Sequence, residues 1–265
     1  DPDQIQGLEG SVKLSTVRVS ESGSREEGAA ASFILAYALF LLLYMVLIIY
    51  GQQVMQGVIE EKTSRVVEVV VSSARPFELM MGKLLGICLT ALTQLAVWLG
   101  TLAVVTLPAV AASFAWLPAD LKLPTLPLPV VGHFLILFLL GFFLFASFYA
   151  AIGAAFNNLQ EASQLSTLAI MFLVAPFLFM MPVINDPDST LAVILSMIPV
   201  FTPLLMMLRI AVKMPPVWQI LLAYALTALF TLFMVWAAAR IYRIGILMYG
   251  KKPTVQEILR WVKVA

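Results

Sequence analysis

Residues Pro129–Phe156 read PVVGHFLILFLLGFFLFASFYAAIGAAF, and they lie inside a 38-residue interval between Lys122 and Glu161 that holds no charged side chain. A bilayer core of about 30 Å is crossed by ~20 apolar helical residues, and an ion at its centre costs at least ~2.5 kcal/mol. A clean run of this length is a membrane span. Working outward, further uncharged intervals follow: 32 residues between Glu27 and Glu60, 36 between Lys83 and Asp120, 24 between Glu161 and Asp186, 20 between Asp188 and Arg209, and 26 between Lys213 and Arg240. Of the 265 residues, 62% are hydrophobic and 12% charged, with a mean hydropathy of +0.98. Soluble domains carry roughly 25% charged residues, so composition excludes a soluble globule.

Five intervals predict full spans, at about 30–55, 83–107, 129–156, 164–184 and 217–242. The sixth, 191–212, contains Pro199 and Pro203. Proline lacks the backbone donor and clashes with the preceding turn, so two short pieces are expected there. Backbone breaks at membrane depth are tolerated where protein covers them, which makes 191–212 a re-entrant external hairpin. Charge distribution gives an independent test. Lys62, Arg65, Arg75 and Lys83 cluster in one loop; Arg240, Arg243, Lys251, Lys252, Arg260 and Lys263 make the tail basic. The positive-inside rule places both in the cytoplasm, and only five crossings plus a hairpin achieve that. The predicted fold is an all-α polytopic membrane protein of three parts: an extracytoplasmic tail and linker (1–28), a transmembrane domain (29–242) and a cytoplasmic C-terminal tail (243–265).

Beyond the first span, residues 56–75 keep a helical rhythm. Ile59, Val66 and Val70 fall on one side, while Glu61, Arg65 and Glu68 at i, i+4, i+7 allow Arg65 to pair with both acids. Pro76 is the expected first residue of the next helix, with Glu78 in its first turn. Gly82-x-x-x-Gly86 offers a close-packing face. An interfacial helix with a solvated charge row would show the same periodicity. Alternation of sign within one and a half turns favours a protein partner, since a lipid-binding helix is lysine-rich on its polar face.

The run Gly57–Gly86, GVIEEKTSRVVEVVVSSARPFELMMGKLLG, resembles the cytoplasmic loop of ABC transporter permeases of the type-2 exporter class, nearest the sodium-extrusion permease branch. The segments 157–183, 196–212 and 240–261 resemble the same class. The resemblance implies a permease subunit, in a homodimer or pseudo-dimer in the inner (plasma) membrane, working with cytoplasmic ABC ATPase subunits. ATP and magnesium would reside on that partner, leaving this chain without a cofactor. It implies Glu60, Glu61, Lys62, Arg65 and Glu68 as ATPase-coupling residues in a coupling helix over 56–75. Val69-Val70-Val71 stands where the pattern expects a Leu. Such permeases have six spans and a large external domain after the first. With Asp1 in place of Met, the chain is expected to lack the first span and most of that domain. The branch expects sodium as substrate, with drug-like or lipid-like molecules as alternatives.

Chemistry inside the chain has few carriers. No G-x-x-x-x-G-K-[ST], H-E-x-x-H or G-x-S-x-G motif is present. A single histidine, His133, and a single cysteine, Cys88, exclude His-based metal sites and a disulfide framework. A net charge of +1 gives no field for nucleic acid. Gln52, Gln53, Asn157 and Gln164 lie at cytoplasmic span ends and are a candidate substrate path, although helix-end hydrogen bonding would explain them as well. Arg209 and Lys213 are expected to snorkel to the external interface. The stripe Ala146, Ala150, Ala154 is a packing face. A non-transporting scaffold would share the spans and the amphipathic loop; a membrane-embedded enzyme would need a catalytic cluster that the sequence does not supply.

Overall fold

The computed structural model describes residues 29–64, 75–105, 127–248 and 254–264. Among these the chain is all-helical, without strands. Five helices are long and apolar enough to cross a membrane: α1 (Ala29–Thr63), α2 (Pro76–Val105), α3 (Leu128–Ala155), α4 (Leu159–Asn185) and, after a hairpin, α7 (Val217–Gly245). The hairpin is made of α5 (Thr190–Met197) and α6 (Thr202–Val212); α8 (Val255–Val264) follows α7.

Capping explains several boundaries. The Asn158 side chain accepts from Gln160 N at 2.9 Å to open α4, and Ser189 opens α5 by accepting from Ala192 N at 3.3 Å. At α2, the Glu78 carboxylate accepts from Arg75 N at 3.1 Å, with Pro76 as the first helical residue.

α3 is the centre of the bundle. Protein encloses 61% of its apolar stretch against 17% for α2, and its broadest contacts are with α1 and α7. Small residues permit the approach. A Cβ on Gly153 would lie 2.8 Å from the Met55 carbonyl of α1, and one on Gly245 would lie 2.7 Å from the Ala154 carbonyl of α3. Ala146, Ala150 and Ala154 are buried on the same helix. By contrast, Gly82 and Gly86 meet nothing within 4 Å, so the expected close-packing face on α2 has no neighbour among the described residues.

The hairpin dips into the bundle. Pro199 sits in its turn and Pro203 in the first turn of α6, where its missing donor is harmless. Pro203 lies against Gly141, halfway along α3, so the tip reaches mid-depth while α6 returns to the end where α7 begins. Every residue from Thr202 to Ala211 is buried. Protein thus covers the break, and Phe201 and Thr202 both donate to the Ile198 carbonyl at 2.8 Å.

Arg209 overturns the snorkelling expectation. Its guanidinium is fully enclosed: Nε donates to the Pro187 carbonyl at 2.8 Å, Nη1 to Ser196 Oγ at 2.8 Å, and Nη2 to Gln219 Oε1 at 2.7 Å. Three neighbouring backbone and side-chain acceptors satisfy the cation better than a path to water would. Lys213 does reach the exposed surface, where it pairs with Asp188.

Candidate functional site

The end of the bundle where α1 and α7 finish and α2 begins gathers the charges singled out in the sequence. α1 runs unbroken for 35 residues, about 50 Å at 1.5 Å per residue. It outruns a ~30 Å hydrocarbon core by several turns. The first part of the 56–75 segment is therefore the rigid continuation of a span, ending at Thr63. Residues 65–74, with Arg65, Glu68 and their proposed pairing, lie outside the described residues.

Neighbouring positions on this extension face different ways. Gln56, Glu60 and Thr63 are exposed along one side. Met55, Val58, Ile59 and Lys62 are buried along the other, at i, i+3, i+4 and i+7. Glu61, between them, pairs with Lys83 of α2 at 2.6 Å. Lys83 reaches over Gly57, one turn earlier on α1, with its Nζ 3.2 Å from where a Cβ would stand.

Lys62 is enclosed, not presented to a partner. Its ammonium donates to the Ala154 carbonyl at 2.8 Å and to the Gly245 carbonyl at 2.7 Å. These are the last turns of α3 and α7, whose terminal carbonyls lack intrahelical donors and carry the negative ends of two helix dipoles. One cation thereby joins the ends of three spans. Sequence reasoning grouped Lys62 with the docking charges. The signal against it was its register, on the same stripe as Val58 and Ile59.

The candidate path residues lie on α1, on α4 and in the connection between α3 and α4. Gln52 is half-buried and Gln53 exposed on α1; Asn157 is half-buried between α3 and α4; Gln164 is exposed on α4. Among the described residues no hydrogen bond joins them. At the opposite end, His133 Nδ1 lies 2.8 Å from the Tyr224 hydroxyl and ties α3 to α7. Among the described residues no group of three or more His, Cys, Asp or Glu could hold a metal ion.

Comparison with known proteins supplies the context for this geometry. A family model described as "ABC-2 family transporter protein" matches residues 4–240. The chain is 30% identical over 264 residues to "Uncharacterized protein YhaP" of Bacillus subtilis (strain 168), covering 99% of this chain and 63% of that one. It is 27% identical over 250 residues to "Uncharacterized protein MJ1024" of Methanocaldococcus jannaschii, covering 94% and 58% respectively. The chain thus spans about three-fifths of the length of these curated relatives. No solved structure matches it.

Proposed function

The chain belongs to the ABC-2 family of transporter proteins, and from that premise we propose that it is the permease portion of an ATP-driven exporter, docked by its α1 extension onto a cytoplasmic ATPase. The observation that carries this reading is the attachment of the α1 tip. A load applied near Glu60 reaches α2 through Glu61–Lys83, and α3 and α7 through Lys62. A rigid helix with exposed charge on one side and three spans fastened to the other is suited to transmit motion from a soluble motor. Gln56, Glu60 and Thr63 supply the accessible side of the docking surface, continued in sequence by Arg65 and Glu68. Glu61 and Lys62 act behind it as transmission. ATP and magnesium bind the partner, and two permease copies flank the path.

Reversing the charges of Glu60 and Arg65 tests the docking. Glu60→Lys with Arg65→Glu opposes like charges at a complementary interface, which costs several kcal/mol. Co-purification of the ATPase and ATP-dependent export from vesicles should each fall at least ~10-fold. Unchanged values for both would remove the proposal. The resemblance to the sodium-extrusion branch makes sodium the first substrate to measure; a lipophilic drug run in parallel decides between the two classes.

A further inference from the structure

We propose that the groove between the start of α2 and the second half of α7 binds one anionic phospholipid of the membrane leaflet at the basic end of the bundle. The groove has a volume of about 680 Å³. Arg75, Arg240 and Arg243 line one end, and Phe77, Leu232 and Trp236 line its body. Among the described residues no Asp or Glu contributes to the lining, and no carboxylate pairs with these three arginines. Glu78, the acid nearest in sequence, is engaged by the Arg75 backbone N–H.

The arrangement along α7 identifies the ligand class. Leu232, Trp236, Arg240 and Arg243 recur at i, i+4, i+8 and i+11, one face of the helix. From Leu232 to Arg240 is about 12 Å of rise, so the face changes from apolar to cationic over roughly half a leaflet. Leu232 and Trp236 are 65% and 46% exposed on a span, and these are contacts that acyl chains make. Arg240 is held in place from two sides: its guanidinium lies 4.2 Å from the centre of the Trp236 ring, and its Nη1 donates to the Val262 carbonyl of α8 at 2.8 Å. One of its five N–H groups is used in that bond. An acidic protein segment would satisfy the arginines, but from the aqueous side it could not reach Leu232. A headgroup phosphate with chains attached matches both ends. The inference is independent of what the chain transports and of how it docks an ATPase.

The test uses the intact chain in nanodiscs of phosphatidylcholine doped with phosphatidylglycerol, with bound lipid counted by native mass spectrometry. One phosphatidylglycerol should be retained with selectivity over phosphatidylcholine. Each basic residue near the surface is worth about 1 kcal/mol towards an anionic lipid, so R240Q with R243Q should weaken that binding roughly thirtyfold and leave phosphatidylcholine unaffected. Ala239→Trp, which fills the groove without changing its charge, should also displace the lipid; it keeps the idea testable if the double variant fails to fold. Equal retention of both lipids, selectivity that survives either variant, or glycerol phosphate competing as well as the lipid would overturn the proposal. So would a dimer mass that appears as lipid leaves, since a second copy would then be the occupant.

Discussion

The Lys62 ammonium donates to the Gly245 carbonyl at 2.7 Å although 183 positions separate the two residues, and the Ala154 carbonyl completes the contact at 2.8 Å. The two acceptors are not equivalent. Gly245 O also accepts from Met248 N at 3.1 Å, closing the turn after α7. Ala154 O, one residue from the end of α3, has Lys62 as its donor. Removing the ammonium therefore leaves one buried carbonyl without its bond and two helix dipoles without their counter-charge.

Lys62→Met keeps the length and apolar stem of the side chain and deletes its charge. Hydrogen bonds to charged groups are worth about 1.5–3 kcal/mol each, and Gly245 keeps a second donor, so a loss of about 2–4 kcal/mol is expected. Thermal unfolding of the detergent-solubilised chain measures it. Glu60→Gln, two residues away on the exposed side of α1, should shift the midpoint little. Equal midpoints for Lys62→Met and wild type would show that the contact contributes nothing.

Glycine substitutions separate packed from open faces. Gly245→Ala and Gly153→Ala place a methyl 2.7 and 2.8 Å from backbone carbonyls that cannot step aside. Overpacking of this kind costs about 1–3 kcal/mol. Gly82→Ala and Gly86→Ala meet open space and should leave stability of the single chain unchanged or raised by a few tenths of a kcal/mol, since alanine is the better helix former. Matched melting curves of the four variants check the ordering.

How far the sequence reaches is visible in these same residues. Gaps between charges located each of the five candidate spans among the described residues, because an ion within hydrocarbon is costly. Pro199 marked the hairpin, and Pro76 marked the start of α2, because ring geometry acts locally. The roles of Lys62 and Arg209 depended on which neighbours close around them. α6 is buried on every side, so its one cation has no outward face to take, and nothing in positions 202–212 announces that. The inward turn of Lys62 was legible in principle: it shares a stripe with Met55, Val58 and Ile59. The resemblance to the permease loop grouped it with the coupling charges instead. The groove at Arg240 could not be read at all, since it needs α2 brought beside α7.

Arg209 fastens the hairpin to the α4–α5 connection and to the start of α7. Pro187, Ser196 and Gln219 belong to the α4–α5 connection, α5 and α7. A lysine offers a point charge that cannot address three acceptors in fixed directions. Arg209→Lys should therefore destabilise by at least ~1.5 kcal/mol and raise hydrogen exchange across 187–201 above that of α3. Exchange confined to wild-type rates would assign the fastening elsewhere.

Asp188 and Lys213 supply a pH dependence with a definite sign. The hydrogen bond from Lys213 holds the exposed Asp188 carboxyl below its ordinary value of 3.8, with the lysine charge adding to the effect. An acid whose folded value is depressed contributes stability above its unfolded value and loses it as pH falls through the folded one. The contribution is thus complete at neutral pH and fades only below about 4. Asp188→Asn removes the titrating group, so its melting midpoint should fall slightly short of wild type at pH 7 and converge with it in strong acid. The pair is exposed and screened by salt, so 1 M salt should shrink the neutral-pH difference in the same way. A difference that persists in acid would mean that Asp188 acts through the shape of its side chain and not through its charge.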